Sequence, residues 1–198
     1  QLANLGTDDI AALSSSQIRA LSSTQLNALT STQLQAIETS DIAKINAGTL
    51  SSIDSTQIGL FSSDQIAAMT STQIKSLTEL QLNGLSSTIS SIGTSSLAAI
   101  DPEKIAALTS TQIRYLTESQ ISALTENQIR ALTSDQLNAL DTQQVPAIDP
   151  GDIAALTTKQ LTDLTSAQLL LLTTAQIAAL TSMQLASLSD AQIAALVR

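Results

Sequence analysis

Large aliphatic residues recur at every eighth position of this chain, and each is followed three residues later by a second apolar side chain. These anchors fall at 2, 10, 18, 26, 34, 42, 50, 58, 66, 74 and 82, then at 89, 97, 105 and every eighth residue to 193. That makes 25 units with a single one-residue deletion, between Leu82 and Ile89. The polar positions repeat with the same phase. The clearest copy is Thr109-Ser110-Thr111-Gln112-Ile113-Arg114-Tyr115-Leu116, followed by Thr117.

One continuous α-helix does not fit this period. Eight residues advance about 800°, roughly 80° past two turns, so the anchors would wander around the helix. In a strand the two apolar positions of a unit would point to opposite faces. A β-solenoid remains the alternative on that basis, but it gives the regular Ser/Thr and Gln no role.

A short capped helix uses every position. With Thr109 at the N-cap, its hydroxyl accepts from an amide of the first turn, and Gln112 at N3 reaches back to the cap amide. Leu108 and Ile113 are then placed as a hydrophobic staple. Leu116 ends the turn and precedes the next cap. Of the 24 residues that open a further unit, 21 are Ser, Thr, Asp or Asn, the exceptions being Gly6, Glu38 and Gly93. Gln fills N3 in 18 of 25 units, counting Gln1, and Asp9, Asp41 and Asp152 fill it in three more. The candidate caps are therefore Thr109 with Gln112, Thr117 with Gln120, Thr125 with Gln128 and Thr133 with Gln136, together with Asp101 and Asp149, each followed by Pro at N1. The candidate core pairs are Ile105 with Leu108, Ile113 with Leu116, Ile121 with Leu124 and Ile129 with Leu132.

Helices of six or seven residues are not stable alone in water, so each unit needs neighbours. The site two after the anchor is Ala, Ser or Gly in 19 of 25 units, which lets backbones approach closely. The expected fold is all-α, a solenoid of short capped helices forming one repeat array over 1–198. Segments near 42–55, 89–102 and 137–150 align at spacings of 47 and 48 residues. That is six units, either one superhelical turn or two turns of three. Residues 38–61 and 86–104 are the loosest copies and candidates for bends. Pro146, just after Val145, is expected to distort its turn. The chain opens at Gln1 already in register and closes at Arg198 inside a further unit, which reads as a segment of a longer or processed protein.

Composition narrows the function. The formal charge is −9, from 17 acidic and 8 basic residues, which argues against a nucleic-acid partner. There is no Cys or His, so disulfides, thiolate metal sites and a His-activated nucleophile are excluded. No stretch is apolar enough to span a membrane. The carboxylates sit at caps and first turns, where the helix dipole favours them. Asp8 with Asp9, and Asp149 with Asp152, are the tight pairs, and neither supplies the six to eight oxygens of a calcium loop. No catalytic, metal or cofactor site is expected. Leu169–Leu172 reads as a wide part of the core or a sticky lateral contact, and Tyr115 as a groove plug or an exposed contact.

The phrase Thr-Ser-x-Gln-Ile-x-Ala-Leu, with Tyr115 in the seventh place at 109–116 and Thr174 in the second at 173–180, resembles low-complexity repeats of very large secreted or surface-anchored bacterial proteins, often adhesin-like. The resemblance covers essentially the whole chain and implies an extracellular stalk, filament or matrix component. Its expected partners are further copies, end to end or side by side, and a cell-surface or matrix component. The alternative is an adhesin module whose long face binds protein or glycan.

Overall fold

The computed structural model describes residues 4–197; Gln1, Leu2 and Arg198 lie outside the described residues. It is an all-α repeat solenoid, and the described residues contain no strand. Each octad makes one helix of four to seven residues. Most are shorter than the six or seven that the capping pattern suggests, the five-residue helices ending at a cap such as Ala20 or Ala123, and the second apolar residue lies beyond the helix. Leu116 takes φ −63°, ψ 137°, and the cap Thr117 that follows takes φ −73°, ψ 160°. Two extended residues in succession turn the chain, and the next cap starts the next helix.

The described chain falls into two compact units, one ending at Ile100 and the other beginning at Asp101. Within each, a helix packs on the third one along. In the first unit Ser55–Ile58 lies against Glu79–Gly84, and Ala47–Leu50 against Ser71–Ser76. In the second, Pro102–Ala106 lies against Glu126–Ala131, and Pro150–Ala155 against Thr174–Ala179. Three octads therefore close one coil, and the 47–48-residue spacing corresponds to two coils.

The anchors fill the interior. Ile105, Ile113 and Ile129 are fully buried, and Leu108, Leu116, Ile121, Leu124 and Leu132 nearly so. Leu169 and Leu172 belong to this core, whereas Leu170 and Tyr115 are 47% and 43% exposed. Small residues between anchors allow close backbone contact. A Cβ at Gly59 would meet the Gly84 carbonyl oxygen at 2.6 Å, and one at Gly84 would collide with that of Ser55.

The irregular copies depart locally. Thr39–Ile42, Ala47–Leu50 and Ser55–Ile58 have four residues each and no side-chain cap bond. The deletion is absorbed by a 3₁₀ helix, Ser86–Ser91, entered through Ser86 at φ 50°, the one non-glycine positive φ among the described residues. Around Pro146 the helix shrinks to Gln144–Ala147, and Asp141 caps it from further back by accepting from Gln143 N at 2.8 Å and Gln144 N at 2.9 Å.

Candidate functional site

The polar residues that recur unit after unit meet along the helix starts. Thr109, Thr117, Thr125 and Thr133 accept from the amides of Gln112, Gln120, Gln128 and Gln136 at 3.2–3.3 Å. The same four Gln Oε1 atoms accept from the Thr amides at 2.8–3.2 Å. Both halves of the box are present. Asp149 caps through Gly151 N at 2.7 Å. Asp101 holds the N-cap position, but its side chain makes no cap hydrogen bond. The expected N-cap Asp101 and N1 Pro102 are thus in place, without a bond from the carboxylate to a first-turn amide.

The glutamines do more than cap. In the first unit, Gln57 Nε2 donates to Leu26 O and Leu29 O at 2.8 and 2.9 Å, and Gln65 Nε2 to Leu34 O and Ile37 O at 2.9 and 2.8 Å. Gln73 repeats this with Ile42 and Ile45, and Gln81 with Leu50 and Ile53. The second unit continues the pattern, as in Gln136 with Ile105 and Leu108, and Gln176 with Val145 and Ile148. In these rungs the reach is 31 and 28 residues back, and at Gln168 and Gln192 it is 30 and 28. A short helix leaves its last carbonyls without intrahelical partners. The Gln amide of the octad four places on satisfies two of them, so one side chain starts its own helix and finishes another. These amides are buried, Gln176 completely. Capping was readable from i, i+3 spacing. The second set of bonds was not, because its acceptors are backbone carbonyls far along the chain.

Asparagines add bridges that the repeat phrase did not announce. Asn27 Oδ1 accepts from Asp54 N at 2.9 Å, and Asn46 Nδ2 donates to Arg19 O at 3.2 Å. Asn138 donates to Asp163 O and accepts from Thr165 N. It thereby takes the cap amide that Gln168 would hold, and Gln168 Oε1 is buried with no partner.

Where Asp replaces Gln, the ladder is interrupted. Asp41 is buried and accepts from Ser15 Oγ. Asp152 has its carboxyl raised above the ordinary range, first by burial and then by repulsion from Asp149 and Glu126. Asp163, bonded by Lys159 Nζ at 2.7 Å and by Ser134 Oγ, is held below it. Glu126 and Arg130 form the i, i+4 pair at 3.8 Å, with both side chains more than half exposed, so it contributes little.

A separate feature lies in the loose stretch of the first unit, a groove of about 260 Å³ lined by Arg19, Ala43, Lys44, Ile45, Asn46, Ala47, Thr70, Thr72 and Gln73. Among the described residues, no helix is long and apolar enough to cross a membrane.

A comparison with curated proteins returned no match. The model of the ALTTAQ repeat family matches residues 2–37, 34–71, 89–126 and 145–182. Read as one-letter codes, that phrase runs from the small residue through the second apolar position and the cap to the N3 glutamine, as in Ala107-Leu108-Thr109-Ser110-Thr111-Gln112. With well over half its length matched, the chain belongs to the ALTTAQ repeat family.

Proposed function

We propose that this chain is a structural, non-enzymatic component of an extracellular or cell-surface filament, stalk or matrix, extending by the stacking of repeats. The observation that carries this reading is the glutamine ladder. The residues repeated from unit to unit are all committed to the stack: the cap hydroxyl closes its own helix, while the N3 Gln and the aliphatic pair hold one coil to the next. Side chains committed this way supply stiffness and length rather than chemistry, and stability in such arrays grows from nearest-neighbour contacts. The resemblance to repeats of very large secreted bacterial proteins points the same way.

The test is solution scattering on the chain and on a version carrying a second copy of residues 137–184. A structural spacer lengthens in proportion to the residues added. A longest dimension that grows only as the cube root of mass would overturn the reading.

A second reading, an adhesin module, draws on the Arg19 and Lys44 groove, which places two cations together in an acidic chain. An acidic glycan captured by the native chain and lost on Arg19→Ala with Lys44→Ala would favour it.

A further inference from the structure

The groove beside Lys44 departs from the octad at several positions at once. Residues 43–47 form the corner between Thr39–Ile42 and Ala47–Leu50, and the groove is bounded there by three successive coils, through Arg19, residues 43–47 and Thr70, Thr72 and Gln73. Lys44 is the one basic residue among the 25 sites two after an anchor, and Asn46 the one Asn among the 24 caps. Thr49 replaces the N3 Gln, so this octad offers no side-chain amide to the carbonyls of Ile18 and Leu21, the pair 31 and 28 residues back that a glutamine would hold. Asn46 makes no cap bond and instead donates from Nδ2 to Arg19 O at 3.2 Å, which ties the corner bearing Lys44 to the end of Ser15–Arg19. Neither Arg19 nor Lys44 has an ion pair among the described residues, although the chain carries 17 carboxylates, and no acidic residue lines the groove. Thr70 Oγ1 is committed to Gln73, whereas Thr72, exposed at N2, makes no side-chain bond among the described residues. This exposure belongs to the octad rather than to its place along the chain. The position after the anchor is exposed at Ala43 and Ala67 as well, and at Arg114 within the second unit.

We propose, resting on the adhesin reading above, that this groove binds an acidic saccharide across the rung that lacks its glutamine. Arg19 and Lys44 hold one anionic group, and Asn46 and Thr72 hold ring hydroxyls. A planar Arg fork beside a Lys ammonium suits a carboxylate or a sulfate. Asn46 keeps Oδ1 and its second N–H for the ligand, and Thr72 its hydroxyl, which both donate and accept as sugar hydroxyls require. At about 260 Å³ the groove falls below the ~300–1,000 Å³ usual for whole small ligands, so it holds part of a longer chain. The net charge of −9 repels densely charged polymers such as an acidic peptide tract, which favours anionic groups spaced apart on a sugar chain. A ligand that touches three coils binds the folded stack and not the unfolded chain, so it stabilises the loose stretch by mass action.

Isothermal titration of the 198-residue chain with alginate oligosaccharides, heparin fragments and neutral dextran tests this, with melting followed by circular dichroism. The first two separate carboxylate from sulfate as the anionic group. At least one of them should bind at a single site and raise the melting temperature, and dextran should do neither. Arg19→Gln and Lys44→Gln should each raise the dissociation constant at least about tenfold, and Thr72→Ala about fivefold, with the unliganded melting curves unchanged. Arg114→Gln removes an exposed cation of the second unit that does not line the groove, and should leave binding as it is. Polyglutamate bound as tightly as the saccharides, or binding lost with the cations but indifferent to Thr72→Ala, would overturn this site and leave only a charge-driven adhesin. Failure of both acidic saccharides to bind would overturn the adhesin reading with it.

Discussion

At the scale of one residue, the N3 glutamine is the most demanding position in the octad. Thr70 and Gln73 separate its two roles. Thr70→Ala removes the cap acceptor, together with the hydroxyl's own bond to Gln73 Oε1, and should cost about 1 kcal/mol. Gln73→Glu preserves an oxygen for Thr70 N but turns a carboxylate toward the carbonyls of Ile42 and Ile45, 2.8 and 2.7 Å from the present Nε2. The expected loss is about 3 kcal/mol, from two lost bonds and a buried charge without a donor. Chemical denaturation of the two variants decides it, and equal losses would mean that the ladder adds nothing to the cap. Asp152 offers the reverse experiment. Its carboxyl is raised in the folded state, so folding binds protons there, and its destabilising effect is present at neutral pH and relieved as pH falls through the carboxylate range. Asp163, held low, has the opposite sign, its contribution vanishing as pH falls through its folded value. Asp152→Gln should therefore stabilise by about 1 kcal/mol at about pH 7, with a new donor facing the carbonyls of Ile121 and Leu124. That gain should shrink at about pH 3, where the aspartate is neutral. Denaturation midpoints at the two pH values measure both parts.

At the scale of the element, the existence and the starts of helices were legible, while their lengths and their partners were not. Thr109, Gln112 and Leu108 specify a helix start through contacts three to five residues long, so the sequence pattern carries them directly. Which helices lie against one another depends on how the two extended residues at each corner turn the chain. The octad alone does not encode that angle, and the repeat allowed three helices per coil or six. The deletion between Leu82 and Ile89 was visible as a lost residue, but its solution, Ser86 at positive φ, depends on the fixed positions of the flanking anchors. Glycines give a test at this scale. Gly48 has open space where a Cβ would sit, so Gly48→Ala should stabilise by about 0.5–1 kcal/mol through helix propensity. Gly84→Ala drives a Cβ into the Ser55 backbone and should destabilise by about 1–3 kcal/mol despite the same propensity gain. Opposite signs in a thermal or denaturant titration are the expected result; like signs would mean that the close approach to Ser55 is not maintained.

At the scale of the whole molecule, each unit is a stack in which no octad is stable alone. Small repeated terms therefore add along the chain and couple where they adjoin. Replacing Thr109, Thr117, Thr125 and Thr133 together by Ala removes four successive caps within the second unit. The expected loss is about 4 kcal/mol, and more if adjoining defects reinforce one another. Calorimetry on the quadruple variant beside each single one measures the coupling, and an unchanged transition would refute the capping account.

The fixed reach of the glutamine ladder has a consequence for inheritance. Every octad with Gln at N3 carries a donor for the octad four places before it and acceptors for the one four places after it. Copies are thus interchangeable, and recombination between tandem gene segments that adds or removes whole octads leaves every surviving bond with a partner of the right kind. A slip of any other size forces a local repair of the sort seen at Ser86. Length is then the property such a gene varies most freely, while the register of eight is the one it must keep.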